Sequence, residues 1–238
     1  MVVDHEKKCD LCFSPTLHRK DMNLGQRCFF FPKCSGQVDL FGTAQESLTF
    51  LDFETTGLNI GKDSIIEIGA VKLDGSGDFH TFQTLVKPPE ALTPVITKIT
   101  GITDSMLTNA PPPTQSMEKL ISFIGSSKIV VHNADFDILW LMRSALRYNL
   151  PIDNNSVICT LKWARLYQEP HCSLSALTKK YRITHNNAHR ALADAAATKE
   201  LFFIFESFGK IKRPVQTLND FIKPAQRLVD KYADQLCA

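Results

Sequence analysis

The sequence predicts an α/β domain on a mixed β-sheet, with a small cysteine-rich module ahead of it. Three strand-like runs follow one another with short links over residues 48–86. Helical patterns then alternate with strands up to about residue 208. Four of the seven cysteines fall within the first 34 residues, where there is little periodic apolar pattern. A chain of 238 residues allows one to two domains. With 44% hydrophobic and 22% charged residues it can bury a sizeable core. No apolar run approaches the roughly 18 residues that a membrane span needs, so no membrane partner is expected. The N-terminus carries no apolar signal region. With an odd cysteine count, that points to reduced thiols and a cytoplasmic location. A net charge of +2 does not advertise nucleic-acid binding, so any such role must come from local patches.

The elements follow in order. The polar stretch 42–47 marks a boundary, and Leu48–Phe53 behind it reads as a strand. Ser64–Leu73 and Phe79–Val86 are further strands, joined by the turn Asp74-Gly75-Ser76-Gly77-Asp78. Links this short make an antiparallel meander, closed by Pro88 and Pro89. Thr114–Ile124 has apolar residues at 117, 120, 121 and 124, which is helical spacing. Lys128–His132 is a short strand, and Asp135–Tyr148 a helix that Asn149 and Pro151 end. Ser156–Thr160 reads as the last strand, and Ser173–Tyr181 and Ala188–Ser207 as helices. Residues 209–238 form a mildly basic tail, expected as an appendage. The organisation is therefore a cysteine module over 1–42, a main domain over 47–208 and a tail over 209–238.

Three acidic elements stand out. Asp52 and Glu54 are two apart in a strand, so they share a face with Leu48 and Phe50. Two like charges at the end of an apolar row are costly to bury without a cation, and a hard divalent ion is the usual resolution. Alone, the pair better suits a strand end that runs into solvent. The second element is His132-Asn133-Ala134-Asp135-Phe136-Asp137, where an apolar strand turns into a helix. There Asp135 suits the N-cap and Asp137 the first turn. The third is His189-Arg190-Ala191-Leu192-Ala193-Asp194, at the start of the Ala-rich helix.

Together these elements resemble the three motifs of the DEDDh family of 3′→5′ exonucleases, which includes proofreading subunits like epsilon of DNA polymerase III. Asp52-Phe53-Glu54-Thr55-Thr56-Gly57 matches D-x-E-T-T-G. His132 to Asp137 matches H-N-x-x-F-D, and His189 to Ala195 matches H-x-A-x-x-D-A. Ile65-Ile66-Glu67-Ile68-Gly69-Ala70, Ile99-Thr100-Gly101-Ile102-Thr103 and Ser173-Leu174-Ser175-Ala176-Leu177 match further pieces, over about residues 47–208. The resemblance implies a ribonuclease H-like mixed sheet flanked by helices. It implies that Asp52, Glu54, Asp137 and Asp194 hold two Mg²⁺ (or Mn²⁺) ions and that His189 is the general base. Nucleoside 5′-monophosphates would leave from 3′ ends. Thr55, Thr56 and Gly57 then either contact the terminal nucleotide or form an ordinary turn. His132 and Asn133 either shape their turn or touch substrate. Lys162, Arg165, Lys179, Lys180, Arg182 and Arg190 either track phosphates or line a solvated face.

Cys9-x2-Cys12 and Cys28-x5-Cys34 form two ligand pairs across a fifteen-residue connection, the donor set of a tetrahedral Zn²⁺. The segment Gly25–Cys34 resembles the zinc ribbons of bacterial type IA topoisomerases, with Phe31 where a Tyr often stands. That resemblance implies a grip on single-stranded DNA by Phe29, Phe30, Phe31, Arg19, Arg27 and Lys33, unless the phenylalanines form the ribbon's core. Gln216-Thr217-Leu218-Asn219-Asp220-Phe221 faintly resembles the hexapeptide by which proofreading subunits touch the sliding clamp. A helical linker is the other reading. The leading expectation is an enzyme acting on single-stranded DNA or DNA 3′ ends, in replication proofreading with the DNA polymerase III catalytic subunit or in repair. An exoribonuclease and a non-enzymatic tether between DNA and polymerase are the alternatives.

Overall fold

A computed structural model describes residues 46–232. The module over 1–42, with Cys9, Cys12, Cys28 and Cys34, lies outside the described residues. The described chain forms one six-stranded sheet in the order β3-β2-β1-β4-β5-β6. Its centre is β1 (Leu48–Thr55), hydrogen-bonded antiparallel to β2 (Ile65–Leu73), which pairs antiparallel with β3 (Phe79–Leu85). The expected meander is present. On the other side β1 runs parallel to β4 (Lys128–Val131), and β4 parallel to β5 (Ser156–Cys159). The sheet is therefore mixed.

Both faces of the sheet are covered, and the period of two sorts the side chains between them. Leu51, Phe53, Ile129 and Val131 pack on one side against α3 (Pro113–Ile124) and α4 (Ala134–Arg147). Leu48, Phe50, Val130 and Ile158 pack on the other. Their partners there are α5 (Thr160–Leu166), α6 (Leu174–Tyr181) and the long α7 (Ala191–Phe208). Phe50 and Phe202 meet edge to face at 5.5 Å between ring centres. Two short helices, α1 (Pro94–Thr100) and α2 (Asp104–Leu107), follow β3, and Leu92, Ile102 and Leu107 in and beside them pack with Ile66 of β2. Among the described residues no helix is long and apolar enough to cross a membrane.

The tail is not an appendage. Val215–Thr217 forms β6, antiparallel to β5, and Asn219–Lys231 forms α8. Leu218, Phe221 and Ala225 are buried in the same cluster as Trp140 and Leu141 of α4. Gln216 accepts a hydrogen bond from Lys162 at 2.8 Å. The hexapeptide from Gln216 to Phe221 is thus built into sheet and core. Its apolar residues are spent there and are not on offer to a sliding clamp.

One close approach sets the depth of α7. A Cβ on Gly69 of β2 would stand 2.1 Å from the backbone nitrogen of Leu192. That obstacle is backbone and has nowhere to rotate. We expect Gly69→Ala to push the start of α7 off the sheet at a cost of about 1–3 kcal/mol. A thermal melt followed by circular dichroism should fall by roughly 4–10 °C; an unchanged melt would contradict this packing.

Candidate active site

The acidic elements converge where the carboxyl end of β1 meets the first turns of α4 and α7. β1 ends with Asp52 and Glu54 on the α7 side, the face that Leu48 and Phe50 also occupy. The register places Asp52 opposite Gly69 and Glu54 opposite Glu67. Asp137 lies in the first turn of α4 and Asp194 in the first turn of α7. Helix starts favour carboxylates because unpaired amides and the helix dipole face them. Glu54, Asp137 and Asp194 are 9%, 3% and 8% exposed.

The electrostatics follow from that crowding. Burial, then the charges of Asp137, Asp194, Glu54 and Glu67, push the Asp52 carboxyl well above its ordinary range. Burial, then Asp194, Glu67 and Asp137, push Glu54 up to about 8, against a small opposing pull from Arg190. Burial raises Asp137 to about 7, although backbone hydrogen bonding at Phe53, Asp137 and Asn133 works the other way. Asp194 is also raised, by burial first, with a hydrogen bond from His185 opposing it. Carboxyl groups this close hold protons unless a cation takes the protons' place. Glu54, His189 and Asp194 offer ligand atoms that all lie within 4.8 Å of one another. Hard oxygen donors, crowded and short of positive charge, fit a divalent cation of the Mg²⁺ or Mn²⁺ kind.

His189 sits just ahead of α7 in the left-handed region (φ 63°), and its side chain is exposed. Its backbone amide donates to Asp194 Oδ2 at 3.2 Å. His185 Nε2 hydrogen-bonds Asp194 Oδ1. Sequence reasoning passed over His185. It lies nine residues ahead of Asp194 in an irregular loop, where no periodicity links the two.

Other expected residues divide. Thr55 donates to the carbonyl oxygen of Gly57 at 2.7 Å, and Thr56 accepts from the Ser64 amide at 2.9 Å. Gly57 lies so close to Asp63 that a Cβ would meet its carboxylate at 2.4 Å. These three build the turn beyond the carboxylates. His132 is 9% exposed and turned inward. Its Nε2 donates to the Cys172 carbonyl at 2.9 Å, which leaves Nδ1 to accept from the Thr160 hydroxyl at 2.9 Å. Burial first, and Arg165 nearby, lower it to about 4, so the ring is neutral. No ring nitrogen of His132 remains for a substrate. Asn133 takes the N-cap position of α4 without a side-chain capping bond and is exposed. Asp135 is therefore not the cap; it stands in the first turn and pairs with Lys162 at 3.2 Å. Of the basic residues, Lys162, Lys180 and Arg190 are taken up by Asp135, Glu169 and Glu67. Arg165, Lys179 and Arg182 stay exposed.

Comparison with known proteins gives the family. The model of the Exonuclease family (RNase T) matches residues 49–202. The chain is 39% identical over 153 residues to the PolC-type DNA polymerase III of Caldanaerobacter subterraneus subsp. tengcongensis, covering 63% of this chain and 11% of that protein. It is 34% identical over 189 residues to the PolC-type DNA polymerase III of Streptococcus agalactiae, covering 79% and 13%. The chain thus spans little more than a tenth of the length of these relatives. Among solved structures it resembles exonuclease X in complex with 5′ overhanging duplex DNA. There the identity is 29% and the TM-score 0.54, with 69% of this chain and 94% of that chain covered. The nuclease domain of 3′hExo, a DEDDh family member bound to rAMP, shares the fold. Its TM-score is 0.60 at 18% identity, with 72% and 97% covered. The chain belongs to the Exonuclease (RNase T) family, on a ribonuclease H-like mixed sheet.

Proposed function

We propose that this protein is a metal-dependent 3′→5′ exonuclease that releases nucleoside 5′-monophosphates from DNA 3′ ends. The observation that carries the reading is the crowding of Asp52, Glu54, Asp137 and Asp194, whose carboxyls burial and one another push above their ordinary range, with His189 beside Glu54 and Asp194. In this reading the four carboxylates hold two Mg²⁺ or Mn²⁺ ions. Such ions supply positive charge that neutralises the scissile phosphate and the departing oxygen and makes water more acidic. His189 takes the proton of the attacking water at a ring nitrogen. The water oxygen bonds to phosphorus as the P–O3′ bond breaks, and the 3′ oxygen leaves with the electron pair and picks up a proton from solvent. An imidazole suits the task because its ordinary pKa lies near neutrality. His185 keeps the Asp194 carboxylate turned toward the cluster. Thr55, Thr56 and Gly57 hold the loop next to which the terminal nucleotide would lie.

DNA is preferred over RNA as substrate because the PolC relatives are DNA polymerases and exonuclease X is seen with duplex DNA. Work within a polymerase III assembly, in proofreading or in repair, belongs to the same proposal, as does binding of one structural Zn²⁺ by Cys9, Cys12, Cys28 and Cys34. The test is digestion of end-labelled single-stranded DNA, mismatched duplex and RNA with Mg²⁺, after elemental analysis for one zinc per chain. Mononucleotides released first from DNA 3′ ends are expected. Faster release from RNA would move the substrate to the alternative, and no release from any of them would sink the reading.

A further inference from the structure

α7 begins without a cap of its own. Arg190 stands at the N-cap position, and its side chain makes no capping hydrogen bond. Leading amides of a helix need an acceptor from somewhere. Here it comes from a different element. Glu67 of β2 has 0% exposure, and both its carboxylate oxygens are filled. Oε2 accepts from the Ala191 amide at 3.0 Å and from Arg190 Nε at 3.0 Å. Oε1 accepts from Arg190 Nη2 at 2.7 Å and from Gln83 Nε2 at 2.9 Å. Burial works to raise this carboxyl, but the bonds from Arg190, Gln83 and the Ala191 amide outweigh it and hold it below the ordinary glutamate value. Glu67 therefore stays charged with the protein's own cation, unlike Glu54 across the strand pair.

Glu67 and Gly69 share one face of β2, and both receive the same short stretch of chain, residues 190–192. His189 lies immediately before that stretch and Asp194 just after it. A left-handed histidine backbone persists only where its surroundings over-determine it. The neighbouring Arg190, held by three hydrogen bonds to one carboxylate, supplies that constraint. We propose that Glu67 and Arg190 are positioning residues for hydrolysis: their bidentate pair, with the Glu67 cap on Ala191, fixes the start of α7 so that the His189 ring and the Asp194 carboxylate keep their places beside Asp52 and Glu54. The inference rests on the exonuclease reading above. It gives a task to two side chains that the reading above leaves without one, and it is carried by the contact between them.

The test uses the full chain and five variants: Glu67→Ala, Arg190→Ala, the double variant, Glu67→Gln and Arg190→Lys. Turnover of end-labelled single-stranded DNA with Mg²⁺ is measured beside thermal melting and amide hydrogen exchange. In Glu67→Ala and Arg190→Ala, kcat per folded molecule should fall about 10- to 100-fold, with KM changed less than about threefold. The double variant should be no worse than the worse single, because both remove one contact. Glu67→Gln keeps an acceptor for the Ala191 amide and should recover part of the loss. Exchange at the Ala191 amide should quicken by about tenfold or more in Glu67→Ala, while amides of β4 and β5 keep their parent rates. The proposal is overturned if activity merely follows the folded fraction, if the two single losses multiply in the double variant, or if the Ala191 amide exchanges as in the parent. A parent protein inactive on every nucleic acid would remove the exonuclease reading instead, and the exchange result would still judge the clamp.

Discussion

Asp137→Ala should abolish Mg²⁺-dependent hydrolysis, with a loss on the order of 10⁴-fold, and leave the melting temperature of the metal-free protein undiminished. The two halves of that expectation share one cause. Asp137 is 3% exposed in the first turn of α4, where burial lifts its carboxyl to about 7. A group so placed is a liability to the empty fold, because ionising it near neutral pH works against desolvation and against Asp194. Removing it relieves that cost. If Asp137 is one of four metal-holding carboxylates, removing it also takes away a ligand that no neighbour can replace. Single-turnover digestion and a melt in chelator read the two halves separately. Retained activity would remove Asp137 from the metal-holding set, and a melt lowered by more than a few degrees would show that the carboxylate supports the fold.

The stability of the metal-free protein should fall as pH rises from about 4 to 8, and Mg²⁺ should restore it at the upper end. Asp137 is raised from 3.8 to about 7, and Glu54 from 4.5 to about 8. Across that window the folded state holds protons that the unfolded chain has released, so raising the pH favours unfolding. The stabilising contribution is fully present below the unfolded values and is lost as pH passes through 7 and 8. Glu67 acts in the opposite sense, being lowered, and its contribution is lost only in acid. A cation competes with the protons for the same oxygens. At a concentration about 100 times its dissociation constant it adds about 2.7 kcal/mol, or roughly 5–10 °C of melting temperature. That gain should be large at pH 8 and slight at pH 5. Equal gains at both pH values, or none at pH 8, would show that Mg²⁺ does not bind at this cluster.

The parts of the fold that local rules govern were legible in the chain. The β1–β3 meander follows from two short links and alternating faces, and α4 and α7 from apolar spacing with acidic first turns. The missed elements are those whose support is remote. α5 starts on the residue after β5, capped by the Cys159 sulfur on the Lys162 amide, so no loop residue announces it. β6 is three residues long and exists because β5 offers an edge. α8 contains Pro224 and many charges, and only the burial of Phe221 and Ala225 against α4 makes it part of the core. α1 is the exception, since Thr93 caps it and Pro94 opens it, a signal local to the chain.

The candidate site divides in the same way. Residue types and spacing alone determined the mixed α/β class, the three acidic motifs and the family they belong to, because a motif is a set of residue types at fixed separations that can be read without knowing what surrounds it. Spacing could not tell that His132 is consumed by Thr160 and Cys172, or that His185 reaches Asp194. Nor could it show that Glu67 caps a helix 124 positions away in sequence. A hydrogen-bonding side chain has no preference for near or distant partners along the chain. Which partner it takes depends on the depth at which α7 meets β2, and the bare hydrogen of Gly69 and the chain's packing decide that depth.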